Sequence, residues 1–267
     1  MQIIKKLKFS KNQNRMRHVG DIDETINYFK ENKNNNLYFL IKKRFNWMNN
    51  FINKNDTGLE VGAGPGLSKE FIICDNFKIS DFSNHNHLDY KNIDAQNTGF
   101  QNDEFDFIIS SNMIHHLPFP MKFFNEMHRI LKKGGRLIIF DAHCSVLLQL
   151  VLILMKHEGF DFTKNVWSLD DPSTDSEDLW SGNSAIPYLI FNDKRIFEKK
   201  LTNKFNLKHC SLCECLLFLN SGGVTSKTFY IPLNFFFLKI IKYLDKFLTT
   251  LFPKLFALGY KIVLEKK

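Results

Sequence analysis

Three glycines within Glu60-Val61-Gly62-Ala63-Gly64-Pro65-Gly66 are the first residues in this sequence whose spacing implies chemistry. Glycine lets a backbone approach a ligand where a Cβ would clash, and a helix that starts after such a loop offers free amide donors. Two acids, Asp81 and Asp94, stand where the short apolar runs Phe77 to Ser80 and Tyr90 to Ile93 stop. The pair His115 and His116 follows the apolar run Phe105 to Ser111, and Asp141 and His143 follow Arg136 to Phe140. Histidine titrates near neutrality, so these residues are candidates for taking a proton from a reacting group. Loop, acids and histidines together describe a nucleotide-type site with proton-transfer candidates at its rim.

The glycine spacing bears on which nucleotide. A dinucleotide fingerprint wants Gly-x-Gly-x-x-Gly, whereas Leu67 stands where the third glycine would fall. The dinucleotide reading is weakened accordingly.

A scaffold has to bring these residues to one edge. Thr57 to Val61 reads as a strand, Leu67 to Cys74 as a helix, Phe105 to Ser111 as a strand and Phe119 to Leu131 as a helix. That last helix ends in Lys132-Lys133-Gly134-Gly135, a basic final turn with a glycine stop, and Arg136 to Phe140 resumes as strand. Strands alternating with helices predict an α/β fold, a parallel sheet covered on both faces, with its binding crevice at the carboxyl ends of the strands. Further on, a helix near Ser184 to Phe205, strands near Leu207 to Leu217 and Tyr260 to Leu264, and a helix from Phe235 to Leu251 complete the pattern at seven strands. Residues 1–53 are expected to form a helical lid, with Tyr38, Phe39, Ile41, Phe45, Trp47 and Met48 at helical intervals, and 54–267 the main domain with its core at 57–141. The stretch 142–182 looks inserted; its Trp167, Trp180, Asp170 and Asp171 suit either an acceptor pocket or a surface loop.

Three ordered segments carry a family likeness. Leu59 to Gly66 resembles the first signature of class I S-adenosylmethionine-dependent methyltransferases, Phe105-Asp106-Phe107-Ile108-Ile109-Ser110-Ser111-Asn112 through His115-His116-Leu117 resembles their fourth-strand signature, and Leu131-Lys132-Lys133-Gly134-Gly135-Arg136-Leu137 resembles the turn before their fifth strand. The resemblance is closest to the small-molecule and quinone-biosynthesis members. It implies a Rossmann-like, seven-stranded, mostly parallel sheet with N-terminal helices and an inserted cap. It also implies S-adenosylmethionine as cofactor, with Glu60, Gly62, Ala63, Gly64 and Gly66 at the methionine end, Asp81 on the ribose, and Asp94 and Ala95 at the adenine. A carboxylate suits a ribose because it accepts from two vicinal hydroxyls, and Asp81 lies nineteen positions after Gly62, near the ~20 expected of a ribose acid. An oxygen or carbon acceptor must also lose a proton, which makes His115, His116 and His143 the candidate bases. The Ser83 to Leu88 stretch abbreviates the family's second helix.

Composition sets the remaining bounds. A 44% hydrophobic content supports a real core, and the formal charge of +8 comes from scattered lysines without an arginine-rich block. No Asn-Pro-Pro-aromatic or Asp-Pro-Pro-aromatic signature for base amines follows the fourth strand, so no nucleic acid is expected. Five cysteines, an odd number, and the absence of a basic-then-apolar leader point to a reducing cytoplasm. Cys210, Cys213 and Cys215 read as buried thiols on a strand, His85 and His87 as a solvated loop, and no metal is expected. The expected acceptor is a small molecule or a lipid-linked one, such as a surface-polysaccharide sugar or a quinone-like ring; the alternatives are a cofactor-binding protein without turnover and a nucleic-acid or protein methyltransferase. Lys239, Lys242, Lys246 and Thr249 share one face of the Phe235 to Leu251 helix. That helix either packs on its own domain, the favoured reading, or lies peripherally on the inner face of the membrane.

Overall fold

The computed structural model describes residues 2, 4–8, 22–31, 34–156, 158–178, 181–224 and 228–267; Trp180 and much of the expected N-terminal lid lie outside them. In chain order the elements are β1 (Lys6–Leu7), α1 (Ile22–Lys30), α2 (Asn35–Asn46), β2 (Thr57–Val61), β3 (Asn76–Ser80), β4 (Phe105–Ser111), α3 (Pro120–Ile130), β5 (Leu131–Ala142), α4 (Val146–Met155), β6 (Phe160–Asp161), α5 (Ile186–Phe191), α6 (Lys194–Leu201), β7 (Phe205–Cys213), α7 (Leu216–Leu219), α8 (Phe235–Leu251), α9 (Pro253–Phe256) and β8 (Gly259–Lys266). Short 3-10 turns occupy Trp47–Phe51, Leu67–Glu70 and Ile114–His116.

Side-chain alternation along the strands divides the core in two. Ile108 of β4, Leu137 and Ile139 of β5 and Ile262 and Leu264 of β8 pack with Phe123, Phe124, Met127 and Ile130 of α3 and with α5 and α6. Their neighbours Phe107, Ile109, Ile138, Phe140 and Val263 face the opposite way, onto Leu37, Ile41 and Phe45 of α2. A strand covered on both faces reads as a continuous apolar run, which is why Phe105 to Ser111 shows no alternation in sequence. Local signals start the helices: Asn34, Ser145, Asp193 and Asn234 each accept a backbone amide from the first turn they precede, and Pro120 opens α3.

The sheet is Rossmann-like and mostly parallel, but it has six strands, not seven, in the order β3-β2-β4-β5-β8-β7. Strands β3, β2, β4 and β5 run parallel, and β8 runs antiparallel between β5 and β7. The missing strand is Tyr90 to Ile93. Only an isolated bridge from Tyr90 to Ser80 forms there, because Asn92 adopts a left-handed φ of 56° and turns the chain back. The helix expected from Leu67 to Cys74 is a single 3-10 turn. The helix expected near Ser184 to Phe205 is two, broken where Asp193 caps α6. Strand β5 starts early, at Leu131, so the Lys132 to Gly135 turn becomes an irregularity in the strand where its pairing with β4 shifts register. All five cysteines are free, and Cys210 is exposed instead of buried.

Segment 142–182 is stitched to the strand ends. Its β6 pairs antiparallel with β1. Buried Asn183 binds it further: the Asn183 side chain accepts the Asp161 amide at 2.8 Å and donates to the Asp161 and Ser173 carbonyls, while its own amide donates to the His115 carbonyl at 2.8 Å. The Thr174 hydroxyl donates to the His116 carbonyl and the Ser173 amide to the Pro118 carbonyl. The insertion therefore holds the backbone of the histidine segment in place.

Candidate active site

The glycine loop leaves β2 with Gly62, Gly64 and Gly66 all at positive φ. At Gly62 a Cβ would stand 2.3 Å from Met113 Cγ, so glycine is required both for its backbone angle and for contact with the residue that precedes the histidine turn. Gly64 is the open position, with φ of 52° and no atom within 4 Å of where its Cβ would lie. Its amide donates to Asp81 and its carbonyl meets His87 Nε2 at 2.7 Å, so what is left open to a ligand is its Cα face.

Asp81, just past β3, closes against this loop. Its Oδ2 accepts the Gly64 amide at 2.8 Å and its Oδ1 the Ser83 amide at 2.8 Å. Each carboxylate oxygen keeps a further lone pair for a hydroxyl. Glu60 lies buried beneath the loop, where it accepts the Ser68 hydroxyl. Burial, opposed by the Ser68 bond and reinforced by the nearby charge of Asp81, pushes the Glu60 pKa up to about 8, so this side chain is protonated at neutral pH. Ala63 and Ala95 are buried. Asp94 Oδ1 accepts both the backbone and side-chain amides of Gln96, and Gln96 Oε1 in turn accepts the Phe119 amide at 3.0 Å. Loop, acids and histidine segment thus form one connected rim around the carboxyl ends of β2, β3 and β4.

The histidines separate into different environments. Asp141, fully buried at the end of β5, accepts the Ile114 amide at 2.8 Å with Oδ2, and its Oδ1 meets His115 Nδ1 at 2.5 Å. The other ring nitrogen of His115, Nε2, lies 3.4 Å from Glu158 Oε2, and His116 Nε2 lies 3.8 Å from Glu158 Oε1. Burial works against a charge on His115, but Asp141 and Glu158 together outweigh it and raise the pKa to about 10. Burial and the neighbouring positive charge of His115 lower His116 to about 4. At neutral pH the cluster is therefore an imidazolium between two carboxylates, beside a neutral imidazole. His143 stands apart: it is buried against the rings of Tyr188 and Tyr260, and burial lowers its pKa to about 4.

Glu158 is the residue that sequence reading missed. It belongs to no motif, and only the fold of the insertion brings it to the histidines. His115, His116 and Glu158 offer ligand atoms within 4.8 Å of one another, a spacing that a cation could bridge. The proton on His115 already supplies positive charge between the carboxylates. Dialysis against a chelator is accordingly expected to leave turnover unchanged; a loss that zinc restores would make the cluster a metal centre instead. Phe160, Asp161, Ser173, Asp178, Gly182 and Asn183 line a cleft of about 400 Å³, to which neither the glycine loop nor His115, His116 and Glu158 contribute.

Known proteins share a sequence pattern with this chain, and its fold. Residues 59–139 match the family model described as a methyltransferase domain. No curated protein matches the chain in sequence. Among solved structures, a SAM dependent methyltransferase from Archaeoglobus fulgidus is similar at 16% identity, over 85% of this chain and 93% of its own, with a TM-score of 0.51. A SAM-dependent methyltransferase from Methanosarcina mazei is similar at 15% identity over 82% and 96%, with a TM-score of 0.44. The match spans β2 to β5, the strands whose ends carry the glycine loop, Asp81 and the histidine turn. Residues 59–139 thus carry the methyltransferase-domain pattern, on a fold that this chain shares with an S-adenosylmethionine-dependent methyltransferase.

Proposed function

We propose that the protein methylates an oxygen or an acidic carbon of a small-molecule or lipid-linked acceptor, with a surface-polysaccharide sugar or a quinone-like ring as the expected kinds. The observation that carries this reading is the Asp141–His115–Glu158 chain. Such acceptors must give up a proton as they take a methyl, and a carboxylate positioned in a buried hydrogen-bonded cluster can accept it. When bound, S-adenosylmethionine supplies an electrophilic methyl group on a sulfonium.

The chain's own residues do the rest. Gly62, Ala63, Gly64 and Gly66 let the backbone close on the methionine end, and Glu60 braces them from below through Ser68. Asp81 would accept from the ribose hydroxyls, while Asp94 and Ala95 would border the adenine. On the acceptor side, Glu158 takes the proton released as the new bond forms. Imidazolium His115, oriented by Asp141, stabilises Glu158 and the developing negative charge on the acceptor atom, and neutral His116 lines the same position. His143, buried behind Tyr260, takes no part in the step. The insertion 142–182, together with Asn183, supplies acceptor recognition; its Ser173 and Thr174, and Asn183, hydrogen-bond the backbone of the histidine segment.

The cofactor side is tested by titration calorimetry with S-adenosylmethionine. Asp81→Ala removes hydrogen bonds to a charged acceptor, worth about 1.5–3 kcal/mol, so Kd is expected to rise on the order of 10- to 100-fold. Asp81→Asn, which keeps one acceptor oxygen for the Gly64 amide, is expected to fall between. An unchanged Kd in Asp81→Ala would remove Asp81 from the site.

A further inference from the structure

Helix α8 is turned the unexpected way round. Its inward stripe is Leu238, Ile241, Asp245, Leu248 and Thr249, of which Leu238, Asp245 and Thr249 are buried. Asp245, only 1% exposed, accepts the amides of Cys215, Leu216 and Leu217 at the start of α7 and lies 3.7 Å from Lys43 Nζ. Thr249 donates back to the Asp245 carbonyl. A polar anchor thus fastens the helix to the body, and its apolar stripe faces away. Phe236 is 67% exposed, Tyr243 70% and Phe247 57%, with Ile240, Leu244 and Leu251 exposed along the same stripe.

Charge follows the same pattern. Lys239, Lys242 and Lys246 are exposed in a row along one flank of this ridge, at spacings of three and four, and Lys254 is exposed just beyond it. The helix holds one acid, Asp245, and that acid is buried. The exposed part of α8 is therefore apolar and cationic with no counter-charge of its own. The chain entering and leaving the helix extends the exposed apolar row with Phe229, Ile231 and Phe252. No helix among the described residues is long and apolar enough to cross a membrane.

We propose that α8 seats the protein on an anionic lipid surface, its aromatic ridge entering the interface and its lysine row meeting the headgroups. A helix lying in the membrane plane needs this combination of an apolar face and a cationic flank. A second copy of the chain fits less well, because pairing the same faces about a two-fold axis brings lysine rows together with no exposed acid on either helix to answer them. The docking rests on α8 alone. Its consequence for the proposed function, that the methyl acceptor is carried on a lipid, rests also on that reading.

Flotation of the full chain with phosphatidylcholine vesicles, with and without phosphatidylglycerol, tests the proposal. The protein is expected to float with the anionic vesicles and not with the neutral ones, and to be released as salt rises. Each lysine removed, as in Lys242→Gln, is expected to weaken binding about fivefold. The combined substitution Phe236→Ser, Tyr243→Ser and Phe247→Ser is expected to abolish it. All three side chains are exposed, so affinity for S-adenosylmethionine should survive in that variant and report that the domain remains folded. Absence of flotation with anionic vesicles would overturn the proposal, as would flotation that the triple variant retains. A dimer in light scattering that the triple variant disperses, without vesicle binding, would overturn it in favour of self-association. Loss of cofactor binding in the wild-type chain would count against the methyltransfer reading and leave the vesicle result standing.

Discussion

Glu158→Gln is expected to lower kcat by about 10²- to 10⁴-fold, the usual contribution of a positioned proton acceptor, with cofactor affinity unchanged. The amide preserves the shape of the side chain and its reach to His115 and His116 but cannot take a proton. A second readout separates this role from a merely structural one. Two carboxylates hold His115 well above its ordinary range, at about 10, against the opposing effect of burial. Removing one of them must bring that pKa down. In the wild type, the stability that charged His115 contributes is fully present below its unfolded pKa near ~6.5 and is lost as pH rises through about 10. In Glu158→Gln the loss should begin at lower pH, visible both in an NMR titration of the His115 ring and in thermal melts taken between pH 6 and 10. Unchanged kcat would remove Glu158 from the reaction; unchanged titration of His115 would remove it from the relay.

The largest expected effect on stability comes from Arg44. This buried guanidinium on α2 donates from Nε and Nη2 to both carboxylate oxygens of buried Glu214, at 2.9 to 3.1 Å, and lies over the rings of Phe140 and Phe218. The pair joins the N-terminal helices to the turn between β7 and α7. Arg44→Leu leaves Glu214 buried without its partner and is expected to cost about 3–5 kcal/mol, which in a domain of this size lowers Tm by roughly 10 °C. Adding Glu214→Gln removes the stranded charge, so the double variant should recover a large part of the loss. Thermal melts of the two variants make the comparison. An Arg44→Leu protein as stable as wild type would mean that the ion pair contributes nothing to docking α2.

Much of the cofactor half was legible from residues close together in the chain. Glycine needs at Gly62 and Gly64 are local, since they arise from backbone angles and from one neighbouring strand. Asp81 and the histidine pair stood out because strands β3 and β4 stop where their apolar runs stop. The third strand was misread for an equally local reason in reverse. Tyr90 to Ile93 has the composition of a strand end, but the connection from Ser80 to Tyr90 is shorter than the roughly dozen residues a parallel crossover needs, and Asn92 bends the chain away. Nothing in the sequence distinguished His115 from His143 either. Both follow strands and both are buried, and only the tertiary structure sets His143 against the rings of Tyr188 and Tyr260 and His115 against Asp141 and Glu158.

The sequence alone determined the parallel half of the sheet, the loop conformation and the bounds of α8, because hydrophobic period and glycine placement act over a few residues. Tertiary structure decided which acids meet which histidines: Asp141 and Glu158 reach His115 from elements 26 and 43 positions further along the chain. It also decided the direction α8 faces. Periodicity marks two stripes on a helix without saying which is turned inward, and here the choice fell to Asp245. Its carboxylate satisfies the free amides at the start of α7 and pairs with Lys43, so the stripe that holds Asp245 went in, and the aromatic stripe and the lysines were left outside.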